Sequence, residues 1–174
     1  MKSFNKKLLL IALLSLLAVS IIVSILFVGQ VSDSGEKVLP IPRFVSLGSE
    51  EINVRVGPGI RYPIRFVLKK KGLPVEIIKE FDVWRQIVTF DGDKGWIHKS
   101  LLSGRRKVII KDYTRTVYKR PKPISKAVVK LKAGVVAKLH NCKSSWCKIE
   151  ASGYEGWIDR ASIWGVYPNE IFED

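Results

Sequence analysis

The chain has 174 residues, 47% of them hydrophobic and 26% charged, with 13 Gly and 8 Pro, a balance that excludes collagen-like and wholly disordered chains. Lys and Arg number 30 against 16 acidic residues, a formal charge of +14, while two Cys and two His leave little scope for metal or thiol catalysis.

In chain order, the first element is an uncharged stretch over residues 8–28, LLLIALLSLLAVSIIVSILFV, preceded by Lys2, Lys6 and Lys7. At 1.5 Å per residue a helix of this length crosses a bilayer core of about 30 Å. The lysines ahead of it predict a cytoplasmic start and an extracytoplasmic remainder, so residues 1–30 read as a signal or transmembrane segment in the inner membrane. Ala18-Val19-Ser20 has the small residues of a cleavage site, but Ile21, Ile22 and Val23 follow, which favours a retained anchor over a cleaved signal. The alternatives are an anchored protein with periplasmic domains and a periplasmic one released by cleavage. Residues 31–42 combine Gly, Ser, Asp and two prolines with no sustained period and read as a linker.

A tandem repeat follows. Gly72 precedes Trp84 by twelve positions, and Gly134 precedes Trp146 by the same interval. Gly95-Trp96-Ile97 answers Gly156-Trp157-Ile158, Leu102 answers Ile163 and Gly104 answers Gly165; upstream, Val54-Arg55 lies on Val117-Tyr118 and Pro58 on Pro121. The copies are residues 43–106 and 107–168, with 169–174 left as an acidic tail. Each is a string of short runs rich in Val, Ile, Phe, Trp and Tyr, broken at Gly57-Pro58-Gly59, Lys71-Gly72, Asp91-Gly92, Pro121-Lys122-Pro123 and Ser152-Gly153. That pattern predicts an all-β fold.

Ile52-Asn53-Val54-Arg55-Val56-Gly57-Pro58-Gly59 and Gly95-Trp96-Ile97 closely resemble bacterial Src-homology-3-like (SH3-like) domains, marking that family's first strands, long loop and final strand. The resemblance implies two tandem five-stranded barrels after one N-terminal helix, in the manner of envelope proteins of Gram-negative bacteria. Nothing in the chain resembles the peptidase or amidase domains that accompany such modules in cell-wall hydrolases.

Strand alternation puts Cys147, Ile149 and Ala151 on one face and Trp146, Lys148 and Glu150 on the other. Ile87 likewise faces away from Trp84, so Trp84 and Trp146 are predicted to point outward. In eukaryotic relatives a tryptophan at the place of Trp84 walls the groove for proline-rich peptides. Here His98 and Leu101 stand where that groove's Pro and Tyr would be, and Asp159 and Ser162 in the second copy, so recognition of a proline helix is not expected. Trp84 and Trp146 either stack on a ligand or pack between the repeats. Trp96 and Trp157, each after a Gly, are expected in the core. Arg55 and Tyr62 complete the binding candidates. Arg55 either meets a ligand carboxylate or fixes the long loop through backbone hydrogen bonds.

The basic excess is uneven: residues 107–166 hold 13 Lys or Arg and 4 acids, residues 44–106 hold 12 and 7. Such a surface attracts polyanions. Export argues against nucleic acid and points to peptidoglycan, lipid phosphates or an envelope protein. Cys142 and Cys147 flank the polar turn Lys143-Ser144-Ser145, and in an oxidising compartment a disulfide is expected. No catalytic set, metal site or cofactor motif is found, so the predicted role is non-enzymatic: binding cell-wall or envelope components, with a scaffold for a partner envelope protein as the alternative.

Overall fold

The computed structural model describes residues 39–173; the apolar segment 8–28 and most of the linker lie outside them. The described chain is all-β apart from two single-turn 3-10 helices, Lys99–Leu101 and Arg160–Ser162. Two sheets divide it.

The first comprises β1 (Arg43–Leu47), β2 (Ile52–Arg55), β3 (Ile64–Leu68), β4 (Pro74–Phe81), β5 (Trp84–Val88), β6 (Lys94–His98) and β7 (Leu102–Ser103), in the spatial order β3-β2-β6-β5-β4-β1-β7. The second comprises β8 (Lys107–Ile110), β9 (Arg115–Tyr118), β10 (Ala127–Leu131), β11 (Val136–Lys143), β12 (Trp146–Ala151), β13 (Tyr154–Asp159), β14 (Ile163–Trp164) and β15 (Phe172–Glu173). Its path β10-β9-β13-β12-β11-β8-β14 repeats the first strand for strand, with β15 added against β11. Seven strands per path, where the resemblance implies five, arise for two reasons. The arms of the long loop pair as a hairpin, and a two-residue strand after each 3-10 turn returns to the first strand of its copy.

The duplication extends to irregularities. Each long hairpin shifts register once, at Ile78 between β4 and β5 and at His140 between β11 and β12. Gly72 and Gly134 both sit at φ +79°, a conformation that costs glycine little, and donate to Leu47 O and Ile110 O at 2.8 and 2.9 Å. The glycine spacing seen in the sequence therefore marks one turn used twice.

Each sheet encloses its own apolar cluster. The first holds Leu47, Ile52, Val54, Val75, Ile77, Ile87 and Ile97. The second is built on Val108, Ile110, Val117, Leu139, Ile149 and Ile158, with Cys142 and Cys147 inside it. The named residues of both clusters lie within residues 40–174, which form one compact unit.

The hairpin next to each turn is clamped at the same cross-strand pair by different chemistry. Cys142 faces Cys147 in register and the two are disulfide-bonded, with Cα atoms 4.1 Å apart. The corresponding pair in the first copy is Glu80 and Arg85, joined by a 2.9 Å ion pair. Arg85 is only 8% exposed, and its guanidinium also donates to Asp82 O at 2.6 Å and Trp84 O at 3.0 Å. Arg43 provides Glu80 with a second cation.

Between the sheets, Phe44 packs edge-on to Trp164 with ring centroids 4.9 Å apart and lies 4.7 Å from Tyr167. Phe90 approaches Trp164 at 5.9 Å. Tyr167 donates its hydroxyl to Glu76 at 2.8 Å. The acidic tail is docked: Glu170 accepts from Arg106 at 2.6 and 3.1 Å and from Tyr167 N at 3.0 Å, while Glu173 pairs with Lys143 at 2.7 Å.

Candidate functional site

The outward faces of the two sheets carry the aromatic side chains that the cores leave out. On β5 the burial alternates so that Arg85 and Ile87 are inside and Trp84, Gln86 and Val88 are half-buried outside. In an antiparallel pair, residues directly opposite share a face. Trp84 is opposite His98, and Gln86 is opposite Trp96, which is in turn opposite Arg55. Arg55, Trp96 and Gln86 therefore form one row across three strands, with His98 and Trp84 in the next. Trp84 meets the His98 ring edge-on at 5.6 Å.

The second sheet repeats the arrangement with other residues. Tyr118, Trp157 and Lys148 make the first row, Asp159 and Trp146 the second. Tyr118 contacts Trp146 edge-on at 5.9 Å. Trp84 and Trp146 thus occupy equivalent places on separate sheets, and neither takes part in the ring contacts between the sheets, which Trp164 makes instead.

Trp96 and Trp157 correct the expectation that they fill the cores. The residues facing inward are their neighbours: Gly95 and Ile97, Gly156 and Ile158. Glycine is needed there because the facing strand crosses directly over it. A β-carbon on Gly156 would lie 2.7 Å from both Tyr118 O and Val117 Cγ1, and one on Gly95 would collide with Val54. The alternation that placed Trp84 also places Trp96; the signal in the sequence was the period of two running through Gly95-Trp96-Ile97.

Arg55 serves the long loop. Its guanidinium donates to Tyr62 O at 2.7 Å, and Val56 N to Pro63 O at 3.1 Å closes the loop mouth. The half-buried Tyr62 ring lies flat against Gly57 and Gly59, where a β-carbon on Gly57 would stand 2.5–2.7 Å from ring atoms. Arg61 covers the ring at 5.3 Å. Arg55 and Tyr62 are therefore brought together, with Arg55 joined to the tryptophan face through Trp96. His98 and Asp159 cap the two 3-10 turns, accepting from Ser100 N at 3.2 Å and Ala161 N at 2.7 Å.

On β11, β12 and β13, His140, Glu150 and Glu155 place one ligand atom each within 4.8 Å of one another. His140 Nε2 lies 3.0 Å from Glu150, while Lys148 pairs with Glu155 and its hydrogen bond holds that carboxyl below the usual range. A lysine already occupying one of the three carboxylate and imidazole ligands makes this an ion-pair cluster.

The bacterial SH3 domain model matches residues 48–104 and 111–165. The chain is 28% identical over 149 residues to the putative N-acetylmuramoyl-L-alanine amidase YrvJ of Bacillus subtilis (strain 168), covering 79% of this chain and 29% of that protein. Solved structures with similar segments are NlpC2 and NlpC1 from Trichomonas vaginalis and an NLPC/P60 family protein from Bacillus cereus ATCC 10987. NlpC2 is 13% identical over 73% of this chain and 49% of its own, with a TM-score of 0.33. NlpC1 is 14% identical over 75% and 48%, at 0.33, and the Bacillus cereus protein 10% over 70% and 55%, at 0.32. The chain spans less than a third of the amidase and about half of each solved chain. With both sheets matched by one domain model, the chain belongs to the bacterial SH3 domain family, in two tandem copies.

Proposed function

We propose that the chain is a non-enzymatic binding protein of the cell envelope, whose two SH3-like barrels, residues 43–106 and 107–168, hold cell-wall peptidoglycan. The observation that carries this reading is the duplicated outward pair of tryptophans, Trp84 with Trp96 and Trp146 with Trp157, on half-buried faces free of core duty. Indole faces stack on the apolar faces of sugars and on short peptides, and Arg55 and Lys148, in the same rows as Trp96 and Trp157, attract stem-peptide carboxylates. The similarity to a protein named as an amidase supports a wall setting; its activity is not carried over, since the match spans 29% of that protein. Residues 8–28 are read as the segment that carries the barrels out of the cytoplasm and anchors them, through the linker 31–42, at the inner membrane.

The test is sedimentation of residues 39–174 with purified sacculi at low and moderate salt. Binding is expected, and Trp84→Ala with Trp146→Ala should weaken it about tenfold or more, near 1.4 kcal/mol. No co-sedimentation at low salt would remove the reading. It would leave the scaffold for a partner envelope protein.

A further inference from the structure

The two long loops have the same backbone and opposite contents. Residues 56–63 and 119–126 each span eight positions and are closed by corresponding hydrogen bonds, Val56 N to Pro63 O and Lys119 N to Lys126 O. Inside, Gly59 N to Gly57 O is matched by Lys122 N to Arg120 O, and Tyr62 N to Gly59 O by Ser125 N to Lys122 O. In the first loop the Tyr62 ring fills the bend over Gly57 and Gly59. In the second, Arg120 and Lys122 replace the glycines and Ser125 replaces the tyrosine.

The result is a hollow of about 310 Å³ lined by Lys119, Arg120, Lys122, Ile124, Ser125 and Lys126. From Tyr113 to Ile149 the sequence has ten Lys or Arg and no acidic residue, and no ion pair is made by the four cations of this loop among the described residues. Ile124, near the tip, is 91% exposed. Arg120 N to Ser125 Oγ at 3.0 Å and the two prolines Pro121 and Pro123 hold the loop in shape.

We propose that loop 119–126 docks on an anionic lipid surface, its four cations around a lipid phosphate and Ile124 in the headgroup–acyl boundary. Cations alone would serve any polyanion. An aliphatic side chain held out among them gains nothing from a hydrated polymer and gains from partial burial in lipid. Each cation near an anionic surface contributes on the order of a fivefold increase in affinity. The tryptophan faces take no part, so this surface is independent of wall binding and the two stand or fall separately.

The experiment is co-flotation of residues 39–174, which lack the apolar segment 8–28, with vesicles of phosphatidylcholine containing roughly 30% phosphatidylglycerol, and with phosphatidylcholine alone. Binding to the anionic vesicles only is expected, falling as salt is raised. The triple variant Lys119→Gln, Lys122→Gln, Lys126→Gln should lower it about a hundredfold and Ile124→Ser about tenfold. Both changes lie on an exposed loop, and an unchanged thermal midpoint would show each variant folded. Absence of flotation, equal flotation with both vesicles, or a folded triple variant that binds as the parent does would overturn the proposal.

Discussion

Gly95 and Gly156 are the residues on which the outward tryptophan faces depend. Each lets a neighbouring strand cross close enough to hold the core closed, and each fixes by alternation that the next residue, Trp96 or Trp157, points out. Gly95→Ala is expected to cost about 1–3 kcal/mol by overpacking against Val54. Gly104→Ala, with open space around it and no positive φ, should be near neutral; chemical denaturation of the two variants gives the comparison. Equal stability of the two would contradict the close crossing. Trp146 is legible as an outward residue because polar and apolar neighbours alternate around it, and Trp84 less cleanly, from the apolar Ile87 on the opposite face. Trp96 is marked only by the period of two through Gly95-Trp96-Ile97, a weaker signal because a glycine carries no polarity to reveal which way it faces. No sequence pattern marks Arg85 as buried for a related reason: a charge in a strand reads as solvent-facing, and the backbone oxygens of Asp82 and Trp84 that satisfy it belong to the folded turn.

At the level of elements, the paired hairpins show two solutions to one problem. A two-residue turn between long strands needs a tie near its end, supplied by Cys142–Cys147 in one copy and Glu80–Arg85 in the other. Reduction of the disulfide should destabilise the second copy by about 2 kcal/mol, the value for so short a loop. If the positions are equivalent, Glu80→Cys with Arg85→Cys should oxidise to a second bridge, with no free thiol titrating in the unfolded, unreduced protein. Two titrating thiols would show that the correspondence fails. The disulfide was legible from two cysteines astride a polar turn, whereas its ionic counterpart became visible only once register was known. The strand count was legible only in part, because the sequence of the long loop does not disclose that its arms pair.

For the whole molecule, the contact between copies joins residues far apart in sequence, Phe44 with Trp164 and Glu76 with Tyr167, and no local pattern marks it. Residues 165–173 act as a strap. Burial pushes the Glu170 carboxyl up, but hydrogen bonds from Arg106 and Tyr167 N and the Arg106 charge outweigh it, and the group is held below the usual carboxylate range. A lowered folded-state value means stability that is present above about pH 4.3 and is lost as pH falls through the lower folded value. Glu170→Gln should therefore flatten the acid side of the pH–stability profile. Tyr167 is shifted the other way, its phenol raised well above the ordinary range by burial and by the hydrogen bond to Glu76. Its contribution is whole below about pH 10 and is lost as pH rises through the raised value. Calorimetry of residues 39–174 should show one transition at neutral pH, and Phe44→Ala, costing about 3 kcal/mol, should split it into two. Two transitions in the parent would mean that the copies unfold independently.

The five tryptophans supply their own control for the central claim of wall binding by outward aromatic faces. In a two-dimensional NMR spectrum of residues 39–174, soluble peptidoglycan fragments should shift the indole N–H signals of Trp84, Trp96, Trp146 and Trp157 and leave that of Trp164, half-buried and packed edge-on to Phe44 between the sheets, in place. Fragments that move no indole signal, or move that of Trp164 alone, would contradict the account.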